Sequence, residues 1–408
     1  MVSASIGEDL RMYKNLALIV VIAMCTLFVA TGLAQESDEI PTIALLQYSE
    51  GSHADAMRKG LYDMLQVYGL INAAERAELE TERDDLQGEH LNVIWRMAYS
   101  DLSLANIMVE EALDQSADVL VTFSTVVSQL SASALRHMEN PPALIFGLVS
   151  APYSAGIASS ACIKPDYVTG THANVPYDRI VALVHVQDPD AKLIGTLVNP
   201  AEVPSVYGAA QYTEHGEALG LSVETVSIAT ITDVPVAVEA LADKGVDAIL
   251  LTPASLERIG LPTVAEVATQ FGIPVYFPSP FLVRHGATIA AGFDDIYREG
   301  VIVARMLIGH LNGTLDVGAT AINSLPSLGI ALNMDIAADS GIQFSEALLG
   351  MADYVIENGA STQDMTPPSL PEMSLEDRRA EDAAFLAELE CTPERIAAEQ
   401  AALDAAAE

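Results

Sequence analysis

From residue 43 onward the chain alternates short apolar runs with amphipathic helical periods, and this alternation constrains its fold more than any other feature. Ile43-Ala44-Leu45-Leu46 reads as a buried strand, and Met57, Leu61, Met64, Leu65 and Tyr68 form one face of the helix that follows. Asp118-Val119-Leu120-Val121 is the next strand, Val126, Val127, Leu130 and Leu135 the next helical face, and Ala143-Leu144-Ile145-Phe146 a third strand. Unbroken apolar runs belong to strands buried on both faces, and strand–helix–strand repetition builds a parallel sheet covered by helices. After Pro165 the pattern restarts, with strands near 193–198, 221–226, 248–251 and 274–277 and a helix over 264–271 that stops at Gly272, as a left-handed cap requires. Two similar α/β halves with parallel sheets are therefore expected. A third section, with apolar stretches at 287–291, 301–311 and 328–332, is too small for a domain and completes both sheets. The chain then crosses between lobes several times, a hinge suited to closing over a ligand.

The expected division is 41–166 plus 293–327 for the first lobe and 167–292 plus 328–359 for the second. Ahead of them, Arg11 and Lys14 precede a weakly polar run that ends in Gly32-Leu33-Ala34, before Gln35 and the acidic Glu36, Asp38 and Glu39. That order reads as a secretory leader over 1–34, and the length of the run also suits an uncleaved anchor. Either way the bulk is expected outside the cytoplasm, periplasmic or extracellular. Beyond 359 the composition shifts to a proline-containing linker, 360–373, and an alanine- and glutamate-rich helical tail, 374–408, read as a solvated acidic helix or a docking helix.

Charge excludes some functions. With 56 acidic and 19 basic residues the formal charge is −37, which opposes binding to nucleic acid or to anionic membrane. The three cysteines show no CxxC or Cys/His ligand spacing, and the eight histidines are scattered, so no metal and no cofactor is expected. A bridge between Cys162 and Cys391 stays open. The phosphate-binding GxxxxGK[ST], the GxSxG elbow, HExxH and GxGxxG after a strand are all missing from the chain, so it is not read as an enzyme.

Ligands of open parallel sheets gather at the carboxyl ends of strands, where helix N-termini present free N–H groups. The loops at those positions supply Gln47, Tyr48 and Ser52; Phe123, Ser124 and Thr125; and Val149 and Ser150 in the first half. In the second half they supply Asn199 and Ser205, then Thr252, then Ser279. Hydroxyls beside helix N–H groups suit a carboxylate, and Glu50 or the pair Asp294-Asp295 suits an ammonium.

Read in order, Thr42-Ile43-Ala44-Leu45-Leu46-Gln47-Tyr48, Arg58-Lys59-Gly60, Ile145-Phe146-Gly147-Leu148-Val149, Leu197-Val198-Asn199-Pro200, Asp247-Ala248-Ile249-Leu250 and Gly292-Phe293-Asp294 resemble ABC-transporter substrate-binding proteins of the tryptophan/tyrosine-binding type. The resemblance spans about 42–358. It implies a type I periplasmic binding protein fold: two Rossmann-like lobes joined by a three-crossover hinge. It also implies capture of a small amino-acid-like carboxylate, aromatic ones included, held by the loops 47–52, 124–125 and 149–150. The partners implied are the solute and the permease and ATPase subunits of an importer; the alternative is a sensor domain presenting its ligand to a receptor kinase. Ala151-Pro152 stands where the family shows Asp-Pro, and Ala254-Ser255 where it shows an acidic residue.

Overall fold

The computed structural model describes residues 39–293, 295–325, 328–363 and 368–407. The leader read at 1–34 lies outside the described residues, apart from which no helix is long and apolar enough to cross a membrane among those described. Two sheets organise the chain from residue 41 onward. The first contains β1 (Thr42–Gln47), β2 (Leu86–Gln87), β3 (Asn92–Met97), β4 (Val119–Phe123), β5 (Ala143–Val149), β6 (Val168–His172) and β12 (Asn323–Ser324), in the order β12-β6-β5-β4-β1-β3-β2. The second contains β7 (Leu193–Val198), β8 (Ser222–Ser227), β9 (Ala248–Leu250), β10 (Val275–Phe277), β11 (Ile289–Gly292), β13 (Gly329–Asn333), β14 (Tyr354–Glu357) and β15 (Ala360–Ser361), in the order β15-β14-β13-β11-β10-β9-β7-β8. Pairing is parallel except at β2–β3, β11–β13 and β14–β15. The architecture has the two parallel-sheet α/β halves expected from the alternation, and is that of a type I periplasmic binding protein, as the resemblance implies.

Helices cover each sheet on both faces. In the first lobe they are α1 (Ser52–Val67), α2 (Ala73–Thr81), α3 (Leu102–Asp114), α4 (Thr125–Leu135) and α9 (Ile296–Leu311); in the second, α5 (Tyr177–Gln187), α6 (Val203–Ala218), α7 (Val234–Asp243), α8 (Ser255–Phe271), α10 (Met334–Asp339) and α11 (Glu346–Met351). Each face has its own apolar cluster: Ile43, Leu45, Val119 and Val121 point to α1 and α9, while Ala44, Leu46, Leu120 and Leu144 point to α3 and α4, as the period of two dictates. Helices α1 and α9 meet almost backbone to backbone. A Cβ on Gly60 would lie 2.2 Å from the Tyr297 carbonyl oxygen and one on Gly300 2.1 Å from that of Met57, so only glycine fits at either point.

The chain passes between lobes after His172, after Gly292 and after Ser324, which are the three crossings. The first comes later than the boundary expected at 167, because β6 pairs in parallel with β5 and belongs to the first sheet. Pro165 punctuates the approach to that strand and marks no change of lobe.

The carboxy-terminal segment departs most from expectation. It forms two helices, α12 (Leu375–Ala387) and α13 (Pro393–Ala407), and the first lies against the first lobe. Leu389 joins the α1/α9 core cluster, and the backbone between the helices pairs with the stretch before β12: Ala321 N–H donates to the Leu389 carbonyl at 2.7 Å and Cys391 N–H to that of Ala319 at 2.8 Å. Buried Arg305 of α9 pairs with Asp382 at 2.6 Å, which also accepts the Tyr68 hydroxyl at 2.6 Å. A disulfide joins Cys162 to Cys391. The reading of a solvated helix gives way for α12 and the turn after it, because aliphatic and charge partners for them stand on a distant part of the chain, while α13 is largely exposed. The linker reading is also too simple at its start, since Ala360–Ser361 pairs with β14.

Candidate functional site

Strand ends of the two sheets converge on a cleft of about 860 Å³, counting its open mouth. On the first lobe, β1 ends at Gln47, whose amide donates to the Ser49 carbonyl at 2.7 Å and whose oxygen accepts from Arg58 of α1. The side chain is thereby fixed against the cleft. Strand β4 ends at Phe123, fully buried, and Ser124 follows with φ 114°, its hydroxyl accepting Val126 N–H at 3.2 Å as the cap of α4. Thr125 Oγ1 accepts the Ser150 N–H at 3.3 Å, which ties the loop after β4 to the loop after β5. The α4 N-terminus and three hydroxyl side chains thus share one wall, a place suited to an anionic group.

The second lobe contributes charge. Glu202, at 4% exposure, accepts Ser255 N–H at 2.7 Å and Leu256 N–H at 3.2 Å, the first two amides of α8, and the Asn199 side-chain amide at 3.1 Å. A carboxylate offers about four acceptor positions, so one remains open. Behind it, fully buried Glu257 accepts the hydroxyls of Ser205 at 2.5 Å and Thr252 at 2.7 Å together with Thr252 N–H. Burial outweighs those donors and pushes its carboxyl up to about 8. Phe277, Pro204, Pro253 and Pro278 supply apolar wall, facing Phe123, Leu148, Phe293 and Ile296 across the cleft.

Two polar links join the lobes across this space. Arg258 of α8 donates to the Ser49 hydroxyl and, at 3.1 Å, to the Glu50 carbonyl. His53 of α1 pairs through Nε2 with the Ser279 hydroxyl at 3.0 Å and packs edge-on against Phe281 with ring centroids 5.1 Å apart. Burial first, then Arg258 and His285, pull the imidazole down to about 3, so it is neutral at physiological pH.

Of the residues expected from sequence, Gln47, Phe123, Ser124, Thr125, Ser150 and Ser279 line the cleft. Six others do not. The Tyr48 hydroxyl donates to the Ser100 carbonyl at 3.1 Å, Ser52 opens α1, and Val149 points into the core. Asn199, Ser205 and Thr252 stand one layer back, where they hold Glu202 and Glu257. Asp294 lies outside the described residues; Asp295 caps α9 by accepting Arg298 N–H at 2.9 Å, and exposed Glu50 pairs with Arg83 at 3.4 Å. Sequence reasoning passed over His53, Glu202 and Arg258. The last two lie close to the loops it singled out, two residues after Asn199-Pro200 and three after Ser255, and only helix geometry turns them into the cleft. Among the described residues no group of three or more His, Cys, Asp or Glu stands where it could hold a metal ion.

Comparison with known proteins places this architecture. The family described as ABC transporter substrate binding protein matches residues 42–356. A tyrosine-binding protein of Clostridioides difficile is 24% identical over 303 residues, 74% of this chain and 81% of that protein. Among solved structures, a conserved domain protein from Vibrio cholerae superposes with a TM-score of 0.69 at 24% identity, covering 78% of this chain and all of that one. A domain from Streptococcus pneumoniae in complex with L-Trp gives a TM-score of 0.67 at 23% identity over the same shares.

Proposed function

Because the chain belongs to the ABC transporter substrate-binding protein family, we propose that it captures an amino-acid-like carboxylate with an aromatic side chain between its lobes, outside the cytoplasm, and presents it to the permease and ATPase of an importer. The observation that carries the choice of solute is the pairing of opposite charges within one apolar cleft. Among the described residues that line it, Glu202 is the one carboxyl and Arg258 the one guanidinium, and phenylalanine, proline and leucine side chains make up much of the rest. Such a cleft complements a zwitterion with an apolar side chain. In this reading the ligand carboxylate meets Ser124, Thr125 and Ser150 at the α4 N-terminus, its ammonium takes the open acceptor position of Glu202, and its side chain lies against Phe123, Phe277 and Phe293. Relatives named for binding tyrosine and L-Trp support the same class.

Capture works by population shift. A ligand that touches both lobes binds the closed arrangement better than the open one, and the equilibrium moves by that difference in affinity. The links Arg258–Ser49 and His53–Ser279 form only when the lobes meet, so they add to the closed state alone. Isothermal titration calorimetry of the protein from residue 35 onward, against L-tryptophan, L-tyrosine, L-phenylalanine, L-leucine and L-glutamate, tests the proposal. Micromolar or tighter binding of an aromatic acid is expected. Folded protein that gives no heat with any of them, or that binds glutamate best, overturns it.

A further inference from the structure

The first-lobe wall contains a defect in its sheet, and a buried acid fills it. Phe146 pairs with Gly170 and Val149 with His172, so Gly147 and Leu148 of β5 stand opposite the single residue Thr171 of β6. That is a β-bulge, and it frees the Leu148 amide from the ladder. Glu299 of α9 takes the freed group. Its Oε1 accepts Leu148 N–H at 2.8 Å and the Thr171 hydroxyl at 2.6 Å, the backbone and side-chain donors that the bulge leaves over. Leu148 is held at φ 55°, a left-handed conformation unfavourable for a branched side chain, and from there its side chain reaches the cleft, as does Ser150 two residues on. Glu299 itself is fully buried, and its Oε2 has no partner among the described residues.

We propose that Glu299 is a positioning residue for the binding cleft: by filling the β5 bulge from behind it fixes Leu148 and Ser150 against the ligand, and its ionisation is coupled to affinity. Aliphatic surroundings alone would not retain a carboxyl there, because a buried acid lowers stability unless its site uses it. Burial pushes this carboxyl up to about 7, against the two hydrogen bonds, which places its titration in the physiological range. The other ionisable groups on the packed elements are paired, exposed or held neutral. On α1, His53 pairs with Ser279, Arg58 with Gln47 and Asp55, and Lys59 with Asp63, which also takes the Tyr297 hydroxyl from α9. Further along α9, Arg298 is exposed and Arg305 pairs with Asp382. On β6, His172 is drawn down to about 4 by burial. A negative charge appearing behind Ser150 repels a ligand carboxylate held by that wall, so affinity falls as pH rises.

The choice of probe rests on the amino-acid reading above. L-Tryptophan and L-tyrosine affinities are measured for the full chain between pH 6 and 8.5, for wild type and for Glu299→Gln, which keeps an acceptor oxygen but does not ionise. Amide exchange of a peptide spanning 146–150 is followed in both and in Glu299→Ala. The expected result is a three- to tenfold loss of wild-type affinity across that range, a flat profile in Glu299→Gln, and lost protection at 146–150 with at least tenfold weaker binding in Glu299→Ala. Should the alanine variant not fold, Thr171→Val, which removes one donor to the same oxygen, replaces it and is expected to move the pH midpoint. An unchanged pH profile in Glu299→Gln, or unaltered protection and affinity in Glu299→Ala, overturns the proposal. If wild type binds neither amino acid, the solute reading fails, and the exchange data decide whether Glu299 holds the bulge.

Discussion

Replacing both Cys162 and Cys391 by serine isolates the contribution of the tail's covalent anchor, and the structure gives its size. The bridge closes a loop of 229 residues. In the chain-entropy treatment a loop of that length removes about 18 cal/mol/K from the unfolded ensemble, or about 5 kcal/mol at 25 °C. Taking about 2.1 cal/mol/K of unfolding entropy per residue over the folded part, the melting midpoint should fall by about 6 to 8 °C. The full value applies where the native state is unchanged, as it is when the Arg305–Asp382 pair and Leu389 keep the tail docked without the bond. The assay is thermal unfolding followed by far-ultraviolet circular dichroism, with wild type, the double serine variant, and wild type under reductant. Wild type under reductant should match the double variant within 1 to 2 °C. A double variant that melts within 1 °C of oxidised wild type refutes the reasoning, because it would mean the loop is already closed in the unfolded chain or the bridge is absent in solution.

Other outcomes follow from the cleft and the buried acids. Arg258→Ala removes two charge-assisted bonds between the lobes, worth about 2 kcal/mol together after solvent discounting, so ligand dissociation in stopped flow should accelerate about 30-fold with little change in association; an unchanged off-rate counts against a closed-state link. Ser124→Ala or Ser150→Ala should weaken binding by about 1 to 3 kcal/mol in calorimetry, and unchanged affinity in both removes the carboxylate from that wall. Burial lifts Glu257 to about 8 and Glu299 to about 7 from an ordinary 4.5. Both keep a proton in the folded chain at pH values where the unfolded chain has released it, so the stability this confers is full below pH 4.5 and is lost as pH rises through 7 and then 8. The melting midpoint should drop between pH 6 and 9, partly levelled by Glu299→Gln; a midpoint that climbs over that interval contradicts the assignment.

The order of apolar runs and helical faces determined the two-lobed α/β class, because strands buried on both faces and helices buried on one leave different periods in a sequence. It also located the loops after β1, β4 and β5, since a strand end followed by a helix start is a local pattern with hydroxyls at fixed offsets. Three things were decided only by tertiary structure. Strand pairing assigned Val168–His172 to the first sheet, which no local signal distinguishes from the second. Docking of the tail depended on Tyr68, Arg305 and Cys162, residues 77 to 314 positions away from their partners. The charged part of the cleft came from side chains at helix beginnings, where Glu202 just ahead of α6 and Arg258 in the first turn of α8 look like ordinary solvated charges until packing turns them inward. Local propensity is written in neighbouring residues; burial of a polar group, and the partner that makes it tolerable, is settled by elements that meet only when the chain has folded.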